Sequence, residues 1–269
     1  MRDKIVLITG STDGVGRKVA IELGRLGARV LVHGRDTARA RDVVTEITYA
    51  GGAAEFYPAD LASLADVRSL AAVIAQDHDR LDVLINNAGV GTRSGGTHRR
   101  TSADGHELRF AVNYLAGFLL TRSLLPLLRA SPQARIVNVA SAGQAPIDFD
   151  DVMLVRRYDG AHAYMQSKLA QVMFTIDLAQ ELEDSRITVN CLHPATYMAT
   201  TMVREAGVSP VSTVEEGADA ILNLVISQAL DGRSGLYFNR QQETRAHAQA
   251  YDEAARQRLR ELSRRLTGL

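Results

Sequence analysis

The chain has 269 residues, 46% hydrophobic and 23% charged, which suits one large soluble domain or two small ones. Its 31 Lys and Arg balance its 31 Asp and Glu, so charge gives no reason to expect nucleic acid or an anionic membrane as partner. One cysteine, Cys191, excludes an intrachain disulfide and fits a reducing compartment. It lies in an apolar run, residues 187–192, and reads as a small core residue. The seven histidines are scattered without ligand spacing, so no metal is expected. A strand starts almost at once, leaving no room for a signal peptide. The longest apolar stretch, 110–128, is interrupted by Asn113, Thr121, Arg122, Ser123 and Pro126, and reads as a buried helix. A cytoplasmic protein without a membrane span is expected. The arginine-rich stretch 256–265 reads as a solvated helix face.

Residues 4–8 are a mostly apolar run, the pattern of a strand buried on both faces. The turn Thr9-Gly10-Ser11-Thr12-Asp13-Gly14-Val15-Gly16 follows, then a helical pattern over 17–26, stopped by Gly27, and a second strand over 29–33. Strand, glycine turn, helix and strand make a dinucleotide-binding unit. Gly10 permits the tight turn, Gly14 lets backbone amides approach a pyrophosphate, and Gly16 lets the helix sit close to the sheet. The helix N-terminus then offers unpaired N–H groups and the positive end of its dipole to phosphate. At the end of the second strand stands Arg35, where an acid would favour NAD and a cation can pair with a 2′-phosphate. NADP(H) is therefore expected. Asp36 beside it, and Asp13 within the turn, pull the other way unless Asp36 caps the helix over 37–50.

The alternation continues. A third strand is expected over 54–57, a helix over 64–76 capped by Ser63, and a fourth strand over 82–86 ending in Asn86-Asn87-Ala88-Gly89. A long helix over 104–128 carries Asn113 among apolar neighbours, and a fifth strand over 135–140 ends at Ser141. A helix over 161–183 carries Tyr164 and Lys168, and a sixth strand over 187–192 leads to His193-Pro194-Ala195-Thr196. Ser212 with Glu215, or Thr213 with Glu216, offers a capping box to a helix over 214–229. A seventh strand over 236–239 and a terminal helix over 244–266 complete the chain. Strands alternating with helices, with no linker or repeat, predict a single α/β domain: a doubly wound parallel sheet of about seven strands covered on both faces.

Tyr164 and Lys168 are four apart on a helix and so share a face. A tyrosine, with a reference pKa of about 10, is a poor acid or base near neutrality. A neighbouring ammonium favours the phenolate and brings that value down, so the pair can serve as proton donor to a carbonyl oxygen. A pair of this kind is a weak signal in isolation.

Taken together, Thr9-Gly10-x-x-x-Gly14-x-Gly16, Asp60-Leu61, Asn86-Asn87-Ala88-Gly89, Asn113, Ser141, Tyr164-x-x-x-Lys168 and Pro194 to Thr196 resemble the short-chain dehydrogenases/reductases over essentially the whole chain. Residues 104–115, the long 141–164 segment and residues 164–182 look most like the branch of retinol dehydrogenases and protochlorophyllide reductases. The resemblance implies a Rossmann-type fold and a catalytic set of Asn113, Ser141, Tyr164 and Lys168. Tyr164 would pass the proton to or from the substrate oxygen. Lys168 would lower its pKa and bind the nicotinamide ribose. Ser141 would hold the carbonyl, and Asn113 would interrupt its helix and hold a water for a relay to Lys168. It implies a cofactor site at Gly10, Ser11, Thr12, Asp13, Gly14, Val15, Gly16, Arg35, Asp60, Leu61, Asn87, Ala88, Gly89, Tyr164, Lys168, Pro194 and Thr196.

The expected activity is NADP(H)-dependent interconversion of a ketone or aldehyde and an alcohol, on a small apolar or natural-product-like molecule. The same four residues can also serve redox-assisted epimerisation, dehydration or C=C reduction, and the fold can serve a non-enzymatic NADP-binding regulator. Ala195 stands where the family usually has glycine, so the loop into the substrate lid, near 195–214, is expected to differ. Tyr197, Met198 and Met202 offer an apolar wall there or pack on the lid's own core. The resemblance also implies dimers or tetramers through the helices carrying Asn113 and Tyr164, unless the 141–164 segment covers that face.

Overall fold

The computed structural model describes residues 1–93 and 98–269. The first half alternates regularly: β1 (Ile5–Ile8), α1 (Gly14–Arg25), β2 (Arg29–Gly34), α2 (Thr37–Tyr49), β3 (Ala53–Pro58), α3 (Leu64–Asp77) and β4 (Val83–Asn86). Then α4 (Leu108–Phe110), a π-helical turn (Ala111–Leu115) and α5 (Ala116–Ala130) run on as one rod. β5 (Ala134–Val139), α6 (Gly160–Glu181) and β6 (Ile187–His193) follow. A short α7 (Thr201–Glu205), α8 (Val214–Ile226), β7 (Tyr237–Asn239), β8 (Gln242–Thr244) and α9 (Glu253–Thr267) end the chain.

Among the described residues, eight strands form one sheet in the order β3-β2-β1-β4-β5-β6-β7-β8. All neighbouring pairs are parallel except the antiparallel β7–β8 hairpin. The expected doubly wound architecture is present, with one strand more than expected. Chain order reverses between β1 and β4, and ligands of such sheets bind at that switch point, beyond the strand carboxyl ends. Both faces are covered. One core packs α1, α2 and α8 on one side through residues such as Val19, Val43 and Ile221. The other packs α3, α5 and α6 through Leu70, Phe118 and Met173. Burial on both faces explains why β1 and β4 read as mostly apolar runs, while β5 and β6 bury Arg135, Asn138, Thr188 and Asn190 among apolar residues.

Local chemistry sets the helix ends. Asp36 caps α2 by accepting from the Ala38 and Arg39 amides, and Ser63 caps α3. Of the two possible boxes before α8, Thr213 with Glu216 forms. The rod begins at Leu108, not near 104, because Gly105 adopts a left-handed turn and Asp104 instead accepts from the Leu64 amide at the start of α3. Residues 108–130 are long and apolar enough to cross a membrane, contrary to the expectation from the sequence, yet most of the stretch is buried within the fold. The terminal helix begins at Glu253, capped by Asp252, because residues 242–244 are taken by β8. α9 lies against α6, where Arg260 pairs with Asp177 at 3.1 Å, and against the π turn, where Tyr114 and Ser263 share a hydrogen bond at 2.7 Å. α9 thus covers part of α6 and the π turn, while Gln249, just before α9, is tied to the 141–164 segment through Ile147.

Candidate active site

The glycine turn meets the end of β4 at the switch point. Gly10 has a φ of +64°, and a Cβ there would lie 2.9 Å from the Ala88 Cα. A Cβ on Gly16 would lie 2.3 Å from the Asn87 side-chain nitrogen and 2.4 Å from the Gly10 carbonyl. Gly16 thus makes room for Asn87, which donates to the Thr9 and Gly10 carbonyls at 2.8 and 3.1 Å. Thr9 completes the joint by accepting from the Asn87 and Ala88 amides. Asn87 and Ala88 therefore brace the turn from behind. Asp13 caps α1 through the Gly14 amide at 2.7 Å. Gly14 faces Thr200 of the lid, whose methyl would be 3.3 Å from a Cβ at that position. A half-exposed glycine at the start of a twelve-residue helix fits a phosphate group, so the turn can hold a pyrophosphate.

Three expected cofactor residues point their side chains inward. The Ser11 hydroxyl donates to the Ile8 carbonyl and accepts from the His33 amide. Val15 and Leu61 belong to the two cores. Any part these three play toward a cofactor comes from their backbone. Thr12 packs over Gly34. The His33 ring is buried and its Nδ1 accepts from the Gly10 amide at 3.1 Å, so its proton sits on Nε2. Burial pushes its pKa down to about 4.

The rim expected to meet the adenosine is more open. Arg35 is 76% exposed and pairs with Asp60 at 3.8 Å, while Asp60 accepts from the Ala62 amide. Arg39, which the sequence reading passed over, bridges Asp13 at 3.3 Å and Asp36 at 3.4 Å. Its signal was present: four residues beyond Arg35, it falls in the first turn of α2. Both acids that seemed to oppose a 2′-phosphate are thereby offset by Arg39.

The opposite end carries the four residues of the expected catalytic set. Asn113 lies within the π turn, where the Ala116 amide reaches back five residues to the Ala111 carbonyl. Such turns are frequent at functional sites. The Asn113 carboxamide accepts from the Val90 amide at 2.7 Å and donates to the Val90 carbonyl and to Ser167. One turn earlier, Arg109 donates to the Gly91 and Thr92 carbonyls, so both residues hold the segment after β4. The Ser141 carbonyl accepts from Gln144 at 2.8 Å and from the Tyr237 hydroxyl at 3.1 Å, two ties that become visible only in the structure. The Lys168 ammonium lies 5.7 Å from the Tyr164 ring centroid and 3.7 Å from where a Gly89 Cβ would be.

The electrostatics differ from the sequence expectation at one point. Burial raises the Tyr164 pKa, opposed by the Ser141 hydroxyl beside it and reinforced by Tyr197; Lys168 does not bring it down. The reason is that Lys168 is itself buried, which pushes its pKa to about 7. A phenol held in its protonated form is suited to giving a proton to an oxygen that gains negative charge. Cys191 is buried with its thiol pushed up to about 12, as befits a core residue.

In the segment expected to form a lid, the left-handed residue is not at Ala195. Ala195 is buried with ordinary backbone, and Tyr197 takes the left-handed conformation, with φ +44°. Pro194 is buried, and Thr196 bonds His193 at 3.0 Å. Met198 packs toward Gly217 and the core behind α8 instead of lining a wall with Tyr197, which is 52% exposed.

Residues 4–209 match the family model described as short chain dehydrogenase. Retinol dehydrogenase 14 of Mus musculus is 38% identical across 100% of this chain and 87% of its own length. Polyprenol dehydrogenase of Homo sapiens is 33% identical across 99% of this chain and 86% of its own length. Among solved structures, an uncharacterised protein of Mycobacterium paratuberculosis superposes with a TM-score of 0.82 at 29% identity, covering 99% of this chain and 94% of that one. The Pseudomonas aeruginosa RhlG/NADP active-site complex superposes with a TM-score of 0.71 at 28% identity, covering 89% and 95%.

Proposed function

We propose that this chain, which belongs to the short-chain dehydrogenase/reductase family and is an oxidoreductase, uses NADP(H) to interconvert an apolar alcohol and its aldehyde or ketone. The observation that carries the reading is the convergence of Ser141, Tyr164, Lys168 and Asn113 at one end of a glycine-turn cleft whose other end presents Arg35. When bound, the nicotinamide supplies or accepts the hydride. The chain's own residues do the rest. Ser141, its backbone fixed by Gln144 and Tyr237, orients the carbonyl oxygen toward Tyr164. Tyr164 gives its phenolic proton to that oxygen in reduction and takes it back in oxidation. Lys168 restores the proton balance at the phenol and binds ribose hydroxyls. Asn113 holds the segment after β4 in place beside them.

Arg35 and Arg39 support NADP(H) over NAD(H), because both are exposed cations, one just after β2 and one in the first turn of α2, that can turn from carboxylate partners to a 2′-phosphate. The NADP in the Pseudomonas aeruginosa RhlG complex supports the same choice. For substrate, the names of the retinol and polyprenol dehydrogenases among the relatives support an apolar alcohol, as does the exposed Tyr197 at the mouth of the lid. The test is a fluorescence titration with NADPH and NADH, followed by product analysis with apolar aldehydes. Selective NADPH binding and an alcohol product are expected. Preference for NADH would overturn the cofactor, and a product that retains its carbonyl would favour C=C reduction or epimerisation on the same residues.

A further inference from the structure

The Lys168 ammonium is held by two protein acceptors. One is the carbonyl of Val139, the last residue of β5, at 2.8 Å. The other is the side-chain carbonyl of Gln171, one turn further along α6, at 2.9 Å. Gln171 is only 4% exposed, so its carboxamide is largely withdrawn from solvent. Its own turn is anchored. The Gln171 backbone carbonyl accepts from the Thr175 hydroxyl at 2.8 Å, which accepts from the Asn138 amide at 2.8 Å; the Asn138 carbonyl in turn accepts from the Asn86 amide at 2.8 Å. A buried polar ladder thus ties the turn bearing Gln171 to β5 and β4, the strands that deliver Ser141 and Asn87.

The surroundings make that single neutral acceptor matter. The titratable groups facing the ammonium are Tyr164 on its own helix and His193 at the end of β6. The segment after β4 brings Gly89 beside the ammonium, and the π turn brings Asn113 beside Gly89. Among the described residues no carboxylate balances the charge, and a buried ammonium without a carboxylate depends on dipolar acceptors. An ammonium has three protons; Val139 and Gln171 take two, and the third is aimed by where they hold the nitrogen.

We propose that Gln171 is a positioning residue for Lys168: its side-chain carbonyl, with that of Val139, holds the ammonium at the base of the cleft and stabilises its charge where no carboxylate does so. The inference rests on the proposed function for the use made of Lys168, but not for the contact itself. Lys4, Lys18 and Lys168 are the only lysines, which makes a direct measurement practical. In protein labelled with carbon-13 at the lysine ε-carbon, three resonances titrate, and that of Lys168 is assigned by its loss in Lys168→Met. In Gln171→Leu the Lys168 titration is expected to move down by about one pH unit relative to wild type, and in Gln171→Glu up by about as much. Unchanged titrations in both variants, or shifts in the same direction, would overturn the proposal; a general loosening of the fold does not move the two in opposite senses. Should Gln171→Leu not fold, Gln171→Met and Gln171→Glu carry the same test. Protein that binds neither NADPH nor NADH would remove the proposed function while leaving the lysine titration to decide on Gln171.

Discussion

At the Tyr164 end of the cleft the polar groups are largely buried and each is held by fixed partners, whereas at the Arg35 end they are exposed and paired loosely at 3.3–3.8 Å. Under the proposed function, the difference matches what each end would have to do. A proton donor needs its position and protonation state set before the substrate arrives, and low dielectric makes each fixed dipole count. A site that chooses between cofactors differing by one phosphate needs cations that can change partners, and exposed ion pairs, worth only about 0.2–1 kcal/mol, are easily exchanged. The glycine turn joins the two ends, and its rigidity comes from Asn87 and Thr9 and not from any contact with the cleft.

If this contrast is right, substitutions at the buried end should be far more costly. Lys168→Met is expected to lower turnover by about 100-fold or more while leaving the protein folded, read from steady-state rates beside a thermal melt. At the joint, Gly16→Ala forces a Cβ against Asn87 and the Gly10 carbonyl, so a loss of about 1–3 kcal/mol in a denaturant titration is expected, together with weaker binding of either cofactor.

The joint also carries a pH signature. The fold holds His33 neutral, with a pKa pushed down from 6.5 to about 4, so the unfolded chain takes up a proton that the folded chain refuses. Stability should therefore fall as pH drops from about 6.5 toward 4, by about 2–3 kcal/mol from this group. His193 is shifted in the same direction and adds to the loss. His33→Gln, which keeps an acceptor for the Gly10 amide, should flatten the dependence in melts run across that range. An unchanged slope would show that the joint owes nothing to the neutral ring.

At the rim, Arg35→Ala should raise the KM for NADPH about tenfold and leave that for NADH nearly unchanged, since it removes one charge-assisted contact to the 2′-phosphate. Arg39→Ala should be milder, about two- to fivefold on NADPH, because its present partners are two exposed carboxylates. An Arg39 effect larger than that of Arg35 would exchange their roles without disturbing the contrast between the ends.

The sequence made most of the fold legible because strands buried on both faces leave apolar runs, and helices that open on Asp36, Ser63 or Thr213 announce their starts. What it concealed has physical causes. β8 is short, polar and exposed, and its two-residue turn places Arg240 at φ +56° where a glycine would have signalled a hairpin. The start of the rod was obscured because Asp104, a plausible first-turn acid, serves the neighbouring α3. Of the candidate site, the residue types and their convergence were legible, since they lie in motifs. The inward turn of Ser11 and Leu61, the ties from Gln144 and Tyr237 to Ser141, and the grip of Gln171 on Lys168 were not. The Tyr237 tie joins residues 96 positions apart, and the direction of the Tyr164 shift depends on burial that no spacing reports.

The most direct test of the central claim is to measure NADPH affinity and turnover of an apolar aldehyde in the same preparation of Tyr164→Phe. Affinity within about threefold of wild type, with turnover reduced about 10²- to 10⁴-fold, is the result expected of a residue that supplies the proton and little else. Turnover close to wild type would contradict the assignment of Tyr164 as proton donor and with it the account of the buried end.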